Sequence, residues 1–236
     1  METLIEKTVA EIVASNYKAA DVFKKHGIDF CCGGNVGLSE ICRKKEINLS
    51  EIEEDLQKIT AQRSDSPDFD RWGLDFLIDY IINQHHTYVA ENIPLIIQYS
   101  DKVAKVHGEN HPETVEINTL FHAVADELLA HMQKEERVLF PYVKQLVQAE
   151  KEGISAPAAH FGSVNNPISM MESEHETAGD IFKQIDKLSN NYTPPLAACS
   201  TFKVLYAKLQ DFESDLHKHI HLENNILFPK AKIMDK

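Results

Sequence analysis

Two stretches of this 236-residue chain set a histidine, a glutamate and a Leu-Phe-Pro turn at identical intervals. The first is His131-Met132-Gln133-Lys134-Glu135, followed by Leu139-Phe140-Pro141. The second is His219-Ile220-His221-Leu222-Glu223, followed by Leu227-Phe228-Pro229. Four residues advance an α-helix by about 400°. Each histidine and its glutamate therefore lie one turn apart on a single helix face and can reach one point. Upstream, His86 precedes His131 by 45 positions and His175 precedes His219 by 44. The chain thus contains a duplicated half-site of two imidazoles and one carboxylate.

A lone histidine on a helix is usually a surface or core residue, and twelve histidines give chance many openings. Chance does not align two His-x3-Glu units with matching upstream histidines. Facing halves in a helical bundle would bring His86, His131, Glu135, His175, His219 and Glu223 to the central axis. Six such ligands suit two divalent ions. Bridging by Glu135 and Glu223, with an oxo or hydroxo group, would offset the repulsion between the ions. Imidazole and carboxylate ligands accept iron, manganese or zinc, and affinity order alone does not choose among them. Octahedral geometry would leave about one open position on each ion for a diatomic ligand or for exchange.

The remaining candidates surround this set. His85 competes with His86, because neighbours sit 100° apart on a helix and only one can point inward; His86 is the choice. Glu127 and Asp215 extend the two stripes by a turn, and Glu174 adjoins His175. All three are candidate acids for orienting imidazoles or passing protons. His122 falls on the opposite face from His131. His217 and His221 share a face with each other but not with His219, and both read as surface residues.

These side chains need long helices to carry them. Helical patterns run over roughly 69 to 106, 113 to 150, 166 to 190 and 196 to 228, with no convincing strand between them. Pro94 falls inside the first, where a kink is expected. Four helices with short connections predict an all-α, up-down bundle over 68 to 236. Residues 1 to 62 form a separate helical domain: a helix from Thr8 to about Lys25, a turn at His26-Gly27, and helices starting near Ser39 and Ser50 as N-caps. Arg63 to Asp68 reads as the linker.

Within the N-terminal part, Asp29-Phe30-Cys31-Cys32-Gly33-Gly34 places two cysteines ahead of a helix start, with glycines that permit positive φ or close approach. A thiolate near a helix N-terminus is stabilised. Cys31 and Cys32 are therefore candidates for transient iron ligation or electron exchange; Cys42 and Cys199 read as structural. Four cysteines in this arrangement are not a secreted disulfide framework. With no signal-like N-terminus or membrane-length apolar run, the expected location is the cytoplasm. The formal charge of −13 disfavours nucleic acid and anionic membranes as partners and favours cations. A homodimer is left open.

These motifs resemble the iron–sulfur cluster repair di-iron proteins, also called the repair-of-iron-centres family, over nearly the whole chain. The Asp-Phe-Cys-Cys-Gly-Gly segment is similar to that family's cysteine module. Met171-Glu172-Ser173-Glu174-His175, His131 to Glu135, and His219 to Asn225 are similar to the ligand segments of its hemerythrin-like domain. The resemblance implies a non-haem di-iron centre with His86, His131, His175 and His219 as terminal ligands and Glu135 and Glu223 bridging. It implies repair, in stress, of iron–sulfur proteins damaged by nitric oxide or oxidants, through iron donation. The rival expectations are a sensor or carrier of nitric oxide or dioxygen, and a nitric oxide reductase.

Overall fold

The computed structural model describes residues 7–30, 33–61, 67–156 and 158–235. Cys31, Cys32 and most of the expected linker lie outside the described residues. The first helix, α1 (Val9–Ser15), starts at a reciprocal cap. Thr8 Oγ1 accepts the Glu11 N–H at 3.1 Å, while the Glu11 carboxylate accepts the Thr8 N–H at 2.7 Å. The helix expected to run to Lys25 is broken, because Asn16 Oδ1 accepts the Lys18 N–H and turns the chain. A separate α2 (Ala19–Lys25) comes next. Gly27, at φ 65°, then closes α2 by letting the Ile28 N–H reach the Phe23 carbonyl at 2.8 Å.

Helices α3 (Leu38–Lys45) and α4 (Leu49–Ala61) complete the N-terminal part. Neither serine caps them as expected. Ser39 and Ser50 fall inside the first turns; Gly37 precedes α3, and the Asn48 side chain accepts the Ser50 N–H at 3.1 Å. The glycine pair also acts differently from a left-handed turn. A Cβ on Gly34 would lie 2.4 Å from the Phe30 carbonyl oxygen, a close approach that only glycine permits.

The bundle has four helical runs. The first is α5 (Leu74–Tyr80), a π turn at Ile81–His86 and α6 (Thr87–His107), which continues through Pro94. The second is α7 (Glu113–Lys134), a π turn at Glu135–Leu139 and α8 (Phe140–Glu152). The third is an unbroken α9 (Asn165–Leu188). The fourth is α10 (Ser200–Leu222), a π turn at Glu223–Leu227 and α11 (Phe228–Met234). Helix α6 packs on α7 and α10, and α9 packs on α7 and α10, which closes the bundle. The described residues contain no strand, and no helix among them is long and apolar enough to cross a membrane. The all-α bundle with a small N-terminal helical part is the fold the periodicity predicts.

Two apolar clusters fill the interior. One joins Val9, Phe23, Phe30 and Leu56 of the N-terminal part to Phe121, Phe182, Phe212 and Ile220 of the bundle. The other gathers Ile81, Leu139, Phe140, Ile168, Leu222 and Phe228 at the opposite end. On every run the six central candidates sit where the first set gives way to the second, so they form one layer between apolar ones.

The N-terminal part is fastened to the fourth run beside that layer. Phe30 is buried with its ring edge against Tyr17, His217 and His221 at centroid distances of 6.3, 5.8 and 6.2 Å. Asn225 in the last π turn donates to the Phe30 carbonyl at 3.2 Å and meets His221 Nδ1 at 2.9 Å. Truncating a buried phenylalanine typically costs about 3 to 5 kcal/mol. Phe30→Ala is accordingly expected to lower the urea midpoint of unfolding and to speed hydrogen exchange of the α1 and α2 amides; unchanged exchange would contradict this docking.

Candidate metal centre

The π turns decide how the repeated motifs present their side chains. An i→i+5 turn widens the helix by one residue and re-aims the side chains beyond it. Two such turns begin at Glu135 and Glu223, and the third ends at His86. Together with His175 on unbroken α9, they send six side chains into the layer between the apolar clusters. None of the six is more than 3% exposed.

The six form two overlapping sets. His86, Glu135, His219 and Glu223 make one, and His131, Glu135, His175 and Glu223 the other, with the ligand atoms of each set all within 4.8 Å of one another. Both glutamates belong to both sets. His86 Nε2 and His219 Nε2 are 3.1 Å apart, and His131 Nε2 and His175 Nε2 are 3.0 Å apart. Glu135 Oε2 is 3.4 Å from both His86 Nε2 and His131 Nε2. Glu223 reaches His219 Nε2 at 3.1 Å and His175 Nε2 at 3.2 Å. Each set thus takes one histidine from each half of the repeat.

A metal pair fits this donor set. Both oxygens of Glu135 and Oε2 of Glu223 are buried without a hydrogen-bond donor among the described residues. A carboxylate held so far from water requires cations beside it. Imidazole Nε2 atoms and bare carboxylate oxygens converging on one point are the donor set of a divalent-cation site.

Groups behind the imidazoles orient them. The Nδ1–H of His86 donates to Glu136 at 2.7 Å, that of His131 to Glu174 at 2.8 Å, and that of His175 to Asn224 Oδ1 at 2.8 Å. Glu174 is also tied to Lys134. Acceptors at Nδ1 fix the tautomer that leaves Nε2 free for a metal. Phenyl rings from the Leu-Phe-Pro turns complete the walls: Phe140 stacks on His86 at 5.7 Å and Phe228 on His175 at 6.0 Å.

Electrostatics reflects this crowding. Burial alone would favour a neutral His131, but Glu135 and Glu223, with Glu174 behind, outweigh it and push the pKa up to about 9. Burial wins at His219, whose pKa is lowered. Burial would raise Glu223, yet His219 and His175 hold it well below the carboxylate range.

The surrounding candidates divide. Glu174 supports His131. Asp215 accepts from His85 Nδ1 at 2.9 Å instead of from one of the six. Glu127 is exposed, because the inward stripe of α7 runs through Val124, Leu128, His131 and Glu135; the expectation that it supports the site fails on this register. His85 is buried as well as His86, since the π turn brings both rings inside. His221 is buried at the docking contact and His217 is half-buried there, so their surface assignment is corrected: the N-terminal part covers that face of α10. Cys42 is buried, whereas Cys199 is exposed, 3.3 Å from His107 Nε2, and is no core residue. Sequence reasoning missed Glu136 and Asn224. Their signal was available: each directly follows the glutamate of its own repeat.

A cleft of about 540 Å³ runs beside α9. Asp29 and Gly33, which flank the cysteine pair, line it together with Glu172, Ser173 and Asn224. The cysteine module and the support of His175 therefore border one space.

Fold and site together define a hemerythrin-type cation-binding protein, and residues 77–231 match the hemerythrin HHE cation binding domain, while residues 5–60 match the ScdA_N domain of unknown function. The chain is 38% identical over 226 residues to the iron-sulfur cluster repair protein YtfE of Pectobacterium atrosepticum, covering 96% of each chain. It is 35% identical, with the same coverage, to YtfE of Escherichia coli O8. A probable iron-sulfur cluster repair protein of Haemophilus influenzae is 34% identical over 228 residues, again 96% of each. The chain belongs to this family of iron–sulfur cluster repair proteins.

With His131 protonated at neutral pH, metal uptake must displace a proton from the site. Calorimetric titration of metal-free protein with ferrous ion at pH 7, in buffers of different ionisation enthalpy, is expected to show net proton release. Metal at about 100 times its dissociation constant should add about 2.7 kcal/mol of stability. Glu135→Ala combined with Glu223→Ala should abolish the accompanying rise in Tm.

Proposed function

We propose that this chain holds two iron ions in the bundle and donates iron to iron–sulfur proteins whose clusters have been damaged by nitric oxide or oxidants. The observation that carries this reading is the pair of overlapping donor sets, two histidines and both glutamates each, buried in one layer. His86, His131, His175 and His219, together with the two shared carboxylates of Glu135 and Glu223, would hold the pair. When bound, the pair would supply iron for transfer and a place for exchange or for a diatomic ligand. Everything else is done by the protein: Glu136, Glu174 and Asn224 orient imidazoles, and the apolar layers exclude water.

The names of the relatives support the repair role, and the cleft supports a path. Cys31 and Cys32, which lie in sequence between the cleft residues Asp29 and Gly33, are proposed as the thiolates that take iron from the bundle and pass it to the client. The N-terminal domain, residues 1–62, is the transfer module, and the bundle, 68–236, is the store. The acidic cleft residues Asp29, Glu172 and Glu176 repel anions and tolerate a passing cation.

The test is reconstitution. An iron–sulfur enzyme stripped of its labile iron is expected to regain activity with the iron-loaded protein and a reductant. His131→Ala with Glu135→Ala should reduce the recovery to that of buffer. Cys31→Ser with Cys32→Ser should keep its iron but deliver it at least about tenfold more slowly, about 1.4 kcal/mol in barrier. Equal recovery with the first variant would overturn donation from this site.

A further inference from the structure

The four imidazoles are not held alike. His131 gives its Nδ1–H to a carboxylate, Glu174, at 2.8 Å, and that carboxylate is anchored by Lys134. His175 gives its own to the amide oxygen of Asn224 at 2.8 Å. His86 gives its own to Glu136 at 2.7 Å, a carboxylate that is 42% exposed. His219 is fully buried, and its Nδ1 has no hydrogen-bond partner among the described residues.

The exception has a structural origin in the repeat. Glu174 directly precedes the upstream histidine of its half and lies against the motif histidine of the other half, His131. In the first half the corresponding position is His85. It directly precedes His86 and lies against His219, but as a parallel ring, 5.7 Å between centroids and 8° between planes. The Nδ1–H of His85 goes to Asp215 at 2.9 Å, and its Nε2 is buried without a partner among the described residues. A ring stands where the other half supplies a carboxylate acceptor.

An acceptor behind a ligating imidazole fixes the ring and makes Nε2 more basic, and losing one typically costs about 10- to 100-fold in metal affinity. The set formed by His131 and His175 has both rings so supported. The set formed by His86 and His219 has one, through an exposed carboxylate. We infer that the two metal positions are unequal, and that the position formed by His86 and His219 with the shared glutamates gives up its iron first. The position formed by His131 and His175 is the retained one. This rests on the di-iron reading above and adds to it which ion is the cargo and which keeps the bundle organised.

The experiment is release of iron from ferrous-loaded full-length protein to an excess of a coloured ferrous chelator, without oxygen, monitored by absorbance. Two phases of about one iron each are expected, separated at least about tenfold in rate. Glu174→Ala should speed the slow phase about tenfold or more and leave the fast phase unchanged. Glu136→Ala should speed the fast phase alone. His85→Gln, which offers an amide oxygen to His219 and an N–H to Asp215, should slow the fast phase. Release of two irons in one phase from the unsubstituted protein, or acceleration of the fast phase by Glu174→Ala, overturns the inference and leaves the di-iron reading standing. Fewer than two irons bound before chelation overturns that reading and the inference with it.

Discussion

Glu135 and Glu223 lie side by side in the middle of the bundle with no access to water, and the rest of the molecule is organised around that fact. Transferring an unpaired carboxylate from water into a protein interior is costly, and two neighbouring ones repel each other as well. Four imidazoles surround them, and the raised pKa values of His131 and His86 offset part of the cost in the metal-free protein; divalent ions are the fuller remedy. The layer can remain dry because apolar clusters close it above and below. The Phe140 and Phe228 rings press on His86 and His175 and restrict how those ligands rotate.

The same layer explains the irregular helices. A straight α-helix would carry His131 and Glu135 correctly, but the residues after Glu135 would continue on the α register. The π turn at Glu135 lets Glu136 reach His86 on another run while Leu139 and Phe140 return to the core. The turn at Glu223 does the same for Asn224 and His175, and one residue further on lets Asn225 hold Phe30. One local widening therefore serves both the centre and the attachment of the N-terminal part. Lys218 strengthens that attachment, its ammonium lying over the rings of Tyr17, Phe69 and Tyr80 at 5.5, 5.3 and 5.6 Å.

Much of this was legible in one dimension, for particular reasons. The six central residues stood out because helical spacing converts a four-residue interval into a shared face, and because the pattern occurs twice. The helical runs were marked by periodic apolar residues. The failures also have causes. Asn16 broke the first helix through a side-chain turn that apolar periodicity does not register. His217 and His221 were placed at the surface because a helix face looks free until another part of the chain covers it. Glu127 was assigned by a four-residue step from His131, whereas the buried stripe runs through Leu128.

By itself, the order of residues determined which side chains could meet: a repeat of His-x3-Glu with matching upstream histidines on long helices, preceded by a cysteine-bearing module. The tertiary structure decided how they pair. Each donor set draws one histidine from each half, Glu136 and Asn224 rather than Glu127 and Asp215 stand behind the imidazoles, and both His85 and His86 turn inward. These are consequences of π turns and of contacts between separate runs. Such relations depend on the relative rotation of packed helices, which local spacing does not encode.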